Sequence, residues 1–191
     1  MSRTEPVVTR DKERTRRAIL EAAERLFSER GAGVSLAEIA EGAGVAKGGL
    51  MHHFPSRDAL VYGVMEHCAV RMWEEVRTHI DLSEVRAGQF TRGYVRALTG
   101  DSDYLSSVYS PTGLIAVFGN AAEVQDIFER AAALWDAAFA ADGLSTGRVW
   151  VSRYAAEGLA LAAGSPYVTP AALTLGRAAL LALAEPLATP A

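Results

Sequence analysis

The sequence predicts an all-α fold of about nine helices, on three observations. Apolar residues recur at i, i+3, i+4 and i+7, the spacing of one helical face. Ser, Thr or Asn precedes the periodic stretches, and Gly or Pro follows them. No stretch alternates apolar and polar residues over a convincing strand length.

The first helix is expected over residues 11–30, where Ile19, Ala22, Ala23, Leu26 and Phe27 share a face and Gly31 and Gly33 follow. Ser35 and Glu38 then have the spacing of a capping box, in which each side chain bonds the other residue's amide. The short helix it opens carries Leu36, Ile39 and Ala40 on one side, and Gly42 and Gly44 end it. A third short helix fits residues 46–53, stopped by Pro55. Its cap is poor, because Ala46 stands where Ser or Thr is favoured. Ser56 caps a long fourth helix that runs to about Ile80, with Asp58 complementing its dipole. Five further helices are expected over residues 83–98, 103–118, 120–141, 145–163 and 169–187. Ser83, Asn120, Ser145 and Thr169-Pro170 mark starts; Gly119, Gly143 and Gly164 mark stops. Ser110-Pro111 is expected to break or kink the fifth-to-sixth-helix region.

Composition narrows the function. The 191 residues are half apolar, enough for a sizeable core, and the single cysteine, Cys68, excludes a disulfide framework or a Cys-based zinc site. The late apolar run at residues 178–184 is far short of the roughly 20 residues of a membrane span. Residues 1–17 lack the apolar core of a signal peptide, so the expected location is the cytoplasm and no membrane partner is expected. Net charge is −4 but unevenly spread: residues 1–60 hold ten basic and nine acidic side chains, residues 61–191 nine and fourteen. A basic front on an acidic body suits a nucleic-acid reader, and equally an ordinary solvated helix start. The pairs His52-His53 and His67-Cys68 point to different helix faces, so neither converges on a metal. No HExxH, CxxC, GxSxG or phosphate loop is present. The sequence therefore reads as a non-enzyme without metal or cofactor.

Two short helices joined by a Gly-containing turn, at about residues 35–54, make a helix-turn-helix candidate whose second helix would enter the DNA major groove. Leu36, Ile39, Ala40, Val45, Leu50 and Phe54 would pack against Ile19, Leu26 and Phe27, which leaves Lys47, Gly48, Gly49, Met51, His52 and His53 for the groove. Over Thr15 to Val64, the residues Gly31, Ser35, Ile39-Ala40, Ala43-Gly44-Val45, Gly48, Leu50, Phe54, Ser56 and Leu60 resemble the signature of the TetR (tetracycline-repressor-like) family of bacterial transcription regulators. The resemblance implies a DNA-binding domain at residues 1–56 and a helical ligand-binding and dimerisation domain at residues 57–191. It implies a ligand-responsive repressor that binds a palindromic operator in double-stranded DNA as a homodimer and is released by a small apolar effector. Lys47 and Gly48 match base-reading positions, and Gly49, Met51 and His53 match positions near bases or phosphates. Arg57 and Ser35 match phosphate contacts, with Ala46 and His52 completing the candidate surface. Two departures stand out. Gly48-Gly49 costs roughly 1 kcal/mol of helix propensity per glycine, and Met51 replaces an aromatic usual in the family.

For the ligand, aromatic residues are concentrated in the body. The candidate lining is Trp73, Phe90, Tyr94, Tyr109, Phe118, Trp135, Trp150, Arg153, Tyr154 and Glu157, with Tyr104, Phe128, Arg96 and Asp136 as further members. The last two helices are apolar on more than one side, which suggests a homodimer through them, with Gly158, Ala162, Gly176 and Ala179 allowing close approach. A second reading is an all-helical small-molecule binding protein without specific DNA recognition. It differs in whether the Lys47/His52/Arg57 face is basic and exposed.

Overall fold

The computed structural model describes residues 7–109, 113–118, 122–163, 165–166 and 168–186. Among them are ten α-helices and no strand: α1 (Val7–Arg30), α2 (Leu36–Gly42), α3 (Lys47–His53), α4 (Arg57–Thr78), α5 (Gln89–Arg96), α6 (Asp103–Val108), α7 (Leu114–Phe118), α8 (Gln125–Ala140), α9 (Thr146–Ala162) and α10 (Pro170–Leu183). Short 3-10 turns lie at Gly31–Gly33 and Ala122–Val124, and a π-type turn, Ala97–Asp101, extends α5.

The caps read from sequence are present where the chain starts α2, α4 and α10. Ser35 accepts from the Glu38 amide in a full capping box. Ser56 accepts from the Ala59 amide at 3.0 Å, and Thr169 accepts from the Ala172 amide at 3.2 Å with Pro170 behind it.

Two expected helices differ. The helix expected over residues 83–98 starts at Gln89. Ser83 caps nothing: its amide and hydroxyl both donate to Asp81. Gly88 takes φ +86°, a left-handed conformation no helix continues through, and a side chain there would strike the Ala184 carbonyl. The new helix start is capped from far away, by Asp142, which accepts from the amides of Phe90 and Thr91. The preceding turn is fixed by Arg92, 1% exposed, whose guanidinium donates to Glu84 and to the carbonyls of Ala87 and Ala184. The helix expected over residues 103–118 is two, α6 and α7, which brings the count to ten. Tyr109 closes α6, donating its amide to the Leu105 carbonyl, and the chain returns so tightly that a side chain at Gly113 would meet the Val108 carbonyl. Ser110-Pro111 and the marks at Gly119, Asn120 and Gly164 lie outside the described residues.

Helix α4 is the spine, packed on α1, α5 and α8. The core is continuous from the three-helix head to the body, running from Ile19, Phe27 and Leu50 through Val64 and Cys68 to Val95 and Leu105. The head touches the body a second time through α7, where Phe118 meets Phe27 edge-on at 4.9 Å.

Candidate nucleic-acid interface and ligand cavity

Helices α2 and α3 form the helix-turn-helix. The turn closes through the Gly44 amide on Glu41 and the Val45 amide on Ala40, at 3.0 and 2.9 Å. Leu36, Ile39, Ala40, Leu50 and Phe54 point inward, as their spacing predicted. Lys47, Gly48, Gly49 and His52 are left exposed on α3, and Ala46 is exposed just before it. Nothing lies within 4 Å of where a Gly48 side chain would be, so the backbone of α3 is bare there. Met51 is half-buried against the core, which restricts it to contacts from its outer edge.

The remaining candidates are engaged within the head. Both donors of Ser35, its amide and its hydroxyl, go to the Glu38 carboxylate. These bonds and the Arg30 guanidinium hold the Glu38 pKa at about 2. A phosphate contact from Ser35 would have to displace that carboxylate. The Arg57 guanidinium donates to the carbonyls of Val34 and Ala32 and lies over the Phe27 ring, so it clamps the start of α4 onto the loop before α2.

Sequence reasoning missed one contribution from α1. Lys12 and Arg16 depress the His53 pKa, after burial and His52, and Arg16 lies over Phe54 at 5.1 Å. Lys12 and Arg16 are exposed and extend the basic character of α3. The signal was in the sequence, as the excess of basic residues before residue 18.

The body holds a cavity of about 300 Å³ between α4, α5, α8 and α9. Of the candidate ligand residues it brings together Tyr94, Tyr109, Trp135, Arg153 and Glu157, beside Met65, Cys68, Met72 and Phe128. The Tyr94 hydroxyl donates to Glu157 Oε1 at 2.7 Å. Arg153 donates Nε to the same oxygen at 3.3 Å and Nη1 to Asp136 at 2.8 Å. Burial is the main cause that raises the pKa of both tyrosines, and it pushes the Cys68 thiol up to about 12.

Eight candidates fall elsewhere, Tyr104, Arg96 and Asp136 among them. Trp73 packs edge-on and Phe90 tilted against Trp135, behind the cavity wall. Phe118 fills the seam with the head. Trp150 and Tyr154 are 60% and 52% exposed and pack on each other outside the cavity. On α9 the buried positions are Val149, Ser152, Ala156 and Ala160; Arg153 and Glu157, half-buried, reach the cavity, while Trp150, Tyr154 and Leu161 face out. Gly176, read as a subunit contact, lies against Leu159 of its own chain.

The seam between head and body also carries a polar cluster beside its apolar contacts. Buried Glu24 of α1 accepts from Arg71 of α4 at 2.8 Å, and Arg71 lies over Tyr104 at 3.9 Å. Among the described residues no group of three or more metal-ligating side chains forms, and no helix is long and apolar enough to cross a membrane.

A helix-turn-helix head joined by one long helix to an all-helical body with an aromatic cavity defines a ligand-binding transcription regulator. Residues 19–63 match the bacterial regulatory proteins of the tetR family, and residues 88–185 match the tetracyclin repressor-like C-terminal domain. The chain belongs to the TetR family of transcriptional regulators, which are DNA-binding regulators and not enzymes. Among solved structures it is similar to one assigned to that family from Rhodococcus sp. (19% identity, TM-score 0.71, covering 89% of this chain and 96% of that one). It is similar to the multidrug binding protein EbrR complexed with imidazole (22%, 0.65, 93% and 95%). A transcriptional regulator from Rhodococcus sp. Rha1 is a third (20%, 0.69, 90% and 94%). At these identities the likeness carries the fold alone. No curated protein sequence matches the chain.

Proposed function

We propose that this chain is a cytoplasmic repressor that binds a pseudo-palindromic operator as a homodimer and is released by a small, mainly apolar effector. In this reading residues 1–56 read DNA and residues 57–191 bind the effector and dimerise. The observation that carries it is α4. One rigid helix starts at the Arg57 clamp on the reading head and lines the cavity with Met65, Cys68, Ala69 and Met72. A ligand that prefers one tilt of α4 changes the separation of two reading heads, and coupling of about 1–3 kcal/mol is typical of such linkage. The homodimer is supported by the exposed Trp150, Val151, Tyr154, Leu161 and Leu175, an apolar outer face of α9 and α10. The two-fold axis of a dimer would set half-site centres about 34–36 Å apart, or a multiple of that.

The exposed Lys47 and His52 and the family membership favour this over a ligand-binding protein without DNA recognition. Lys47 is the proposed base reader. Fluorescence anisotropy on DNA upstream of the protein's own gene, over a salt series, tests it. Expected are a steep salt dependence and a Lys47→Ala loss larger on this DNA than on random DNA. Equal losses on both remove Lys47 from the readers, and salt-independent or absent binding removes the repressor reading.

A further inference from the structure

The cavity's charges narrow the effector's chemistry. Two formally charged side chains line it, Arg153 and Glu157. Arg153 is paired with two carboxylates: Nε bonds Glu157, Nη1 bonds Asp136, Nη2 has no partner among the described residues, and the guanidinium lies over Phe139 at 5.4 Å and Tyr154 at 5.5 Å. Two carboxylates share this one cation. Glu157 Oε1 accepts from Tyr94 and Arg153, while Oε2 has no partner among the described residues. The rest of the wall carries the rings of Tyr94, Tyr109, Phe128 and Trp135 and the thioethers of Met65 and Met72 among small and aliphatic side chains. Aromatic faces attract cations. A buried cation also needs a counter-charge, since burial without one is heavily penalised. An anion would meet ring faces, Glu157, and a guanidinium whose charge is already outweighed by two carboxylates.

Resting on the reading of this cavity as the effector site, we propose that the effector is a lipophilic monocation, its charge at Glu157 Oε2 and its apolar body among the four rings. Calorimetric titration of the full chain tests this with three probes of one shape: 4-tert-butylbenzylammonium, 4-tert-butylbenzyl alcohol and 4-tert-butylbenzoate. The ammonium is expected to bind at least about tenfold tighter than either other probe, and Glu157→Gln to remove that margin while the alcohol still binds. Equal affinity for all three, or a preference for the benzoate, overturns the cation and leaves the cavity as the effector site. An ammonium that binds Glu157→Gln as tightly as the wild type is held elsewhere, which overturns the assignment. If none of the three binds, the reading of the cavity itself fails. The wild-type comparison stands even if the variant does not fold.

Discussion

In the head, Ile19, Ala23, Phe27, Ile39 and Leu50 are completely buried in a core built by three helices adjacent in sequence and backed by α4 and Phe118. The body buries Val95, Leu105, Leu114 and Ala156 equally well, yet its helices leave about 300 Å³ between them. The head holds its reading surface in place by filling its interior. The body gives up packing where a ligand would enter. A reading head has to present a fixed face to a rigid duplex, whereas a sensor needs space and a shape that binding can bias.

The largest effect expected from this contrast is at the core. Leu50→Ala should lose about 2–5 kcal/mol, because the site cannot collapse onto anything. Met72→Ala, on the cavity wall, should lose less than about half of that. Urea unfolding of both variants measures the difference, and equal losses would break the comparison.

Adding volume should invert the pattern. Ala23 is fully buried, so Ala23→Leu should cost about 1–3 kcal/mol through overpacking. Ala132 lines the cavity, so Ala132→Leu has room and should leave thermal stability within about 1 kcal/mol of wild type while weakening ligand binding. A large destabilisation by Ala132→Leu would show that the space is closed in solution.

The two regions also differ in how far the sequence disclosed them. The head was legible because its elements are local: Ser35 and Glu38 cap within one turn, and the apolar positions of α1 to α3 follow one periodicity. The body was only partly legible. Its helix starts depend on partners far along the chain, such as Asp142 capping α5, and Arg92 reaching the end of α10. The cavity draws on α4, α5, α8 and α9 together with Tyr109 and Ile115, so periodicity placed Glu157, Trp150 and Tyr154 on one helix face without saying which side faced in. Arg57 was read by its position alone. Its bonds to Ala32 and Val34, which only the tertiary fold brings within reach, give it a structural task as well.

Cys68 sharpens the comparison from the body side. Its thiol sits on the cavity wall, where burial raises its pKa to about 12 against an ordinary 9.0. A raised folded pKa contributes stability below pH 9 that is lost as pH rises towards 12, at about 1.4 kcal/mol per pH unit. Unfolding curves from pH 8 to pH 10 should show this decline, and Cys68→Ala should flatten it. Alkylation of the native protein at pH 8 should be slow and speed up on unfolding. Rapid native alkylation would mean that the thiol is not sealed from solvent.

The smallest expected effect lies on the head, at His53. Burial is the first cause lowering its pKa, followed by His52, Lys12 and Arg16, so the free protein keeps this ring neutral further below pH 6.5 than an ordinary histidine. DNA phosphates close to the same face have the opposite effect, since a nearby negative charge favours the imidazolium. The bound state then carries more protons than the free state, and linkage requires affinity to rise as pH falls through the histidine range. Between pH 7.5 and 6.0 the operator affinity should increase by less than about tenfold, the equivalent of one pKa unit. His53→Gln should remove most of the increase, and 1 M salt should suppress what remains, since exposed charges are screened within about 3 Å there. Anisotropy titrations at four pH values would measure it. An affinity that falls with decreasing pH would place His53 away from phosphate, leaving Lys47, Lys12 and Arg16 as the cationic contacts of the reading surface.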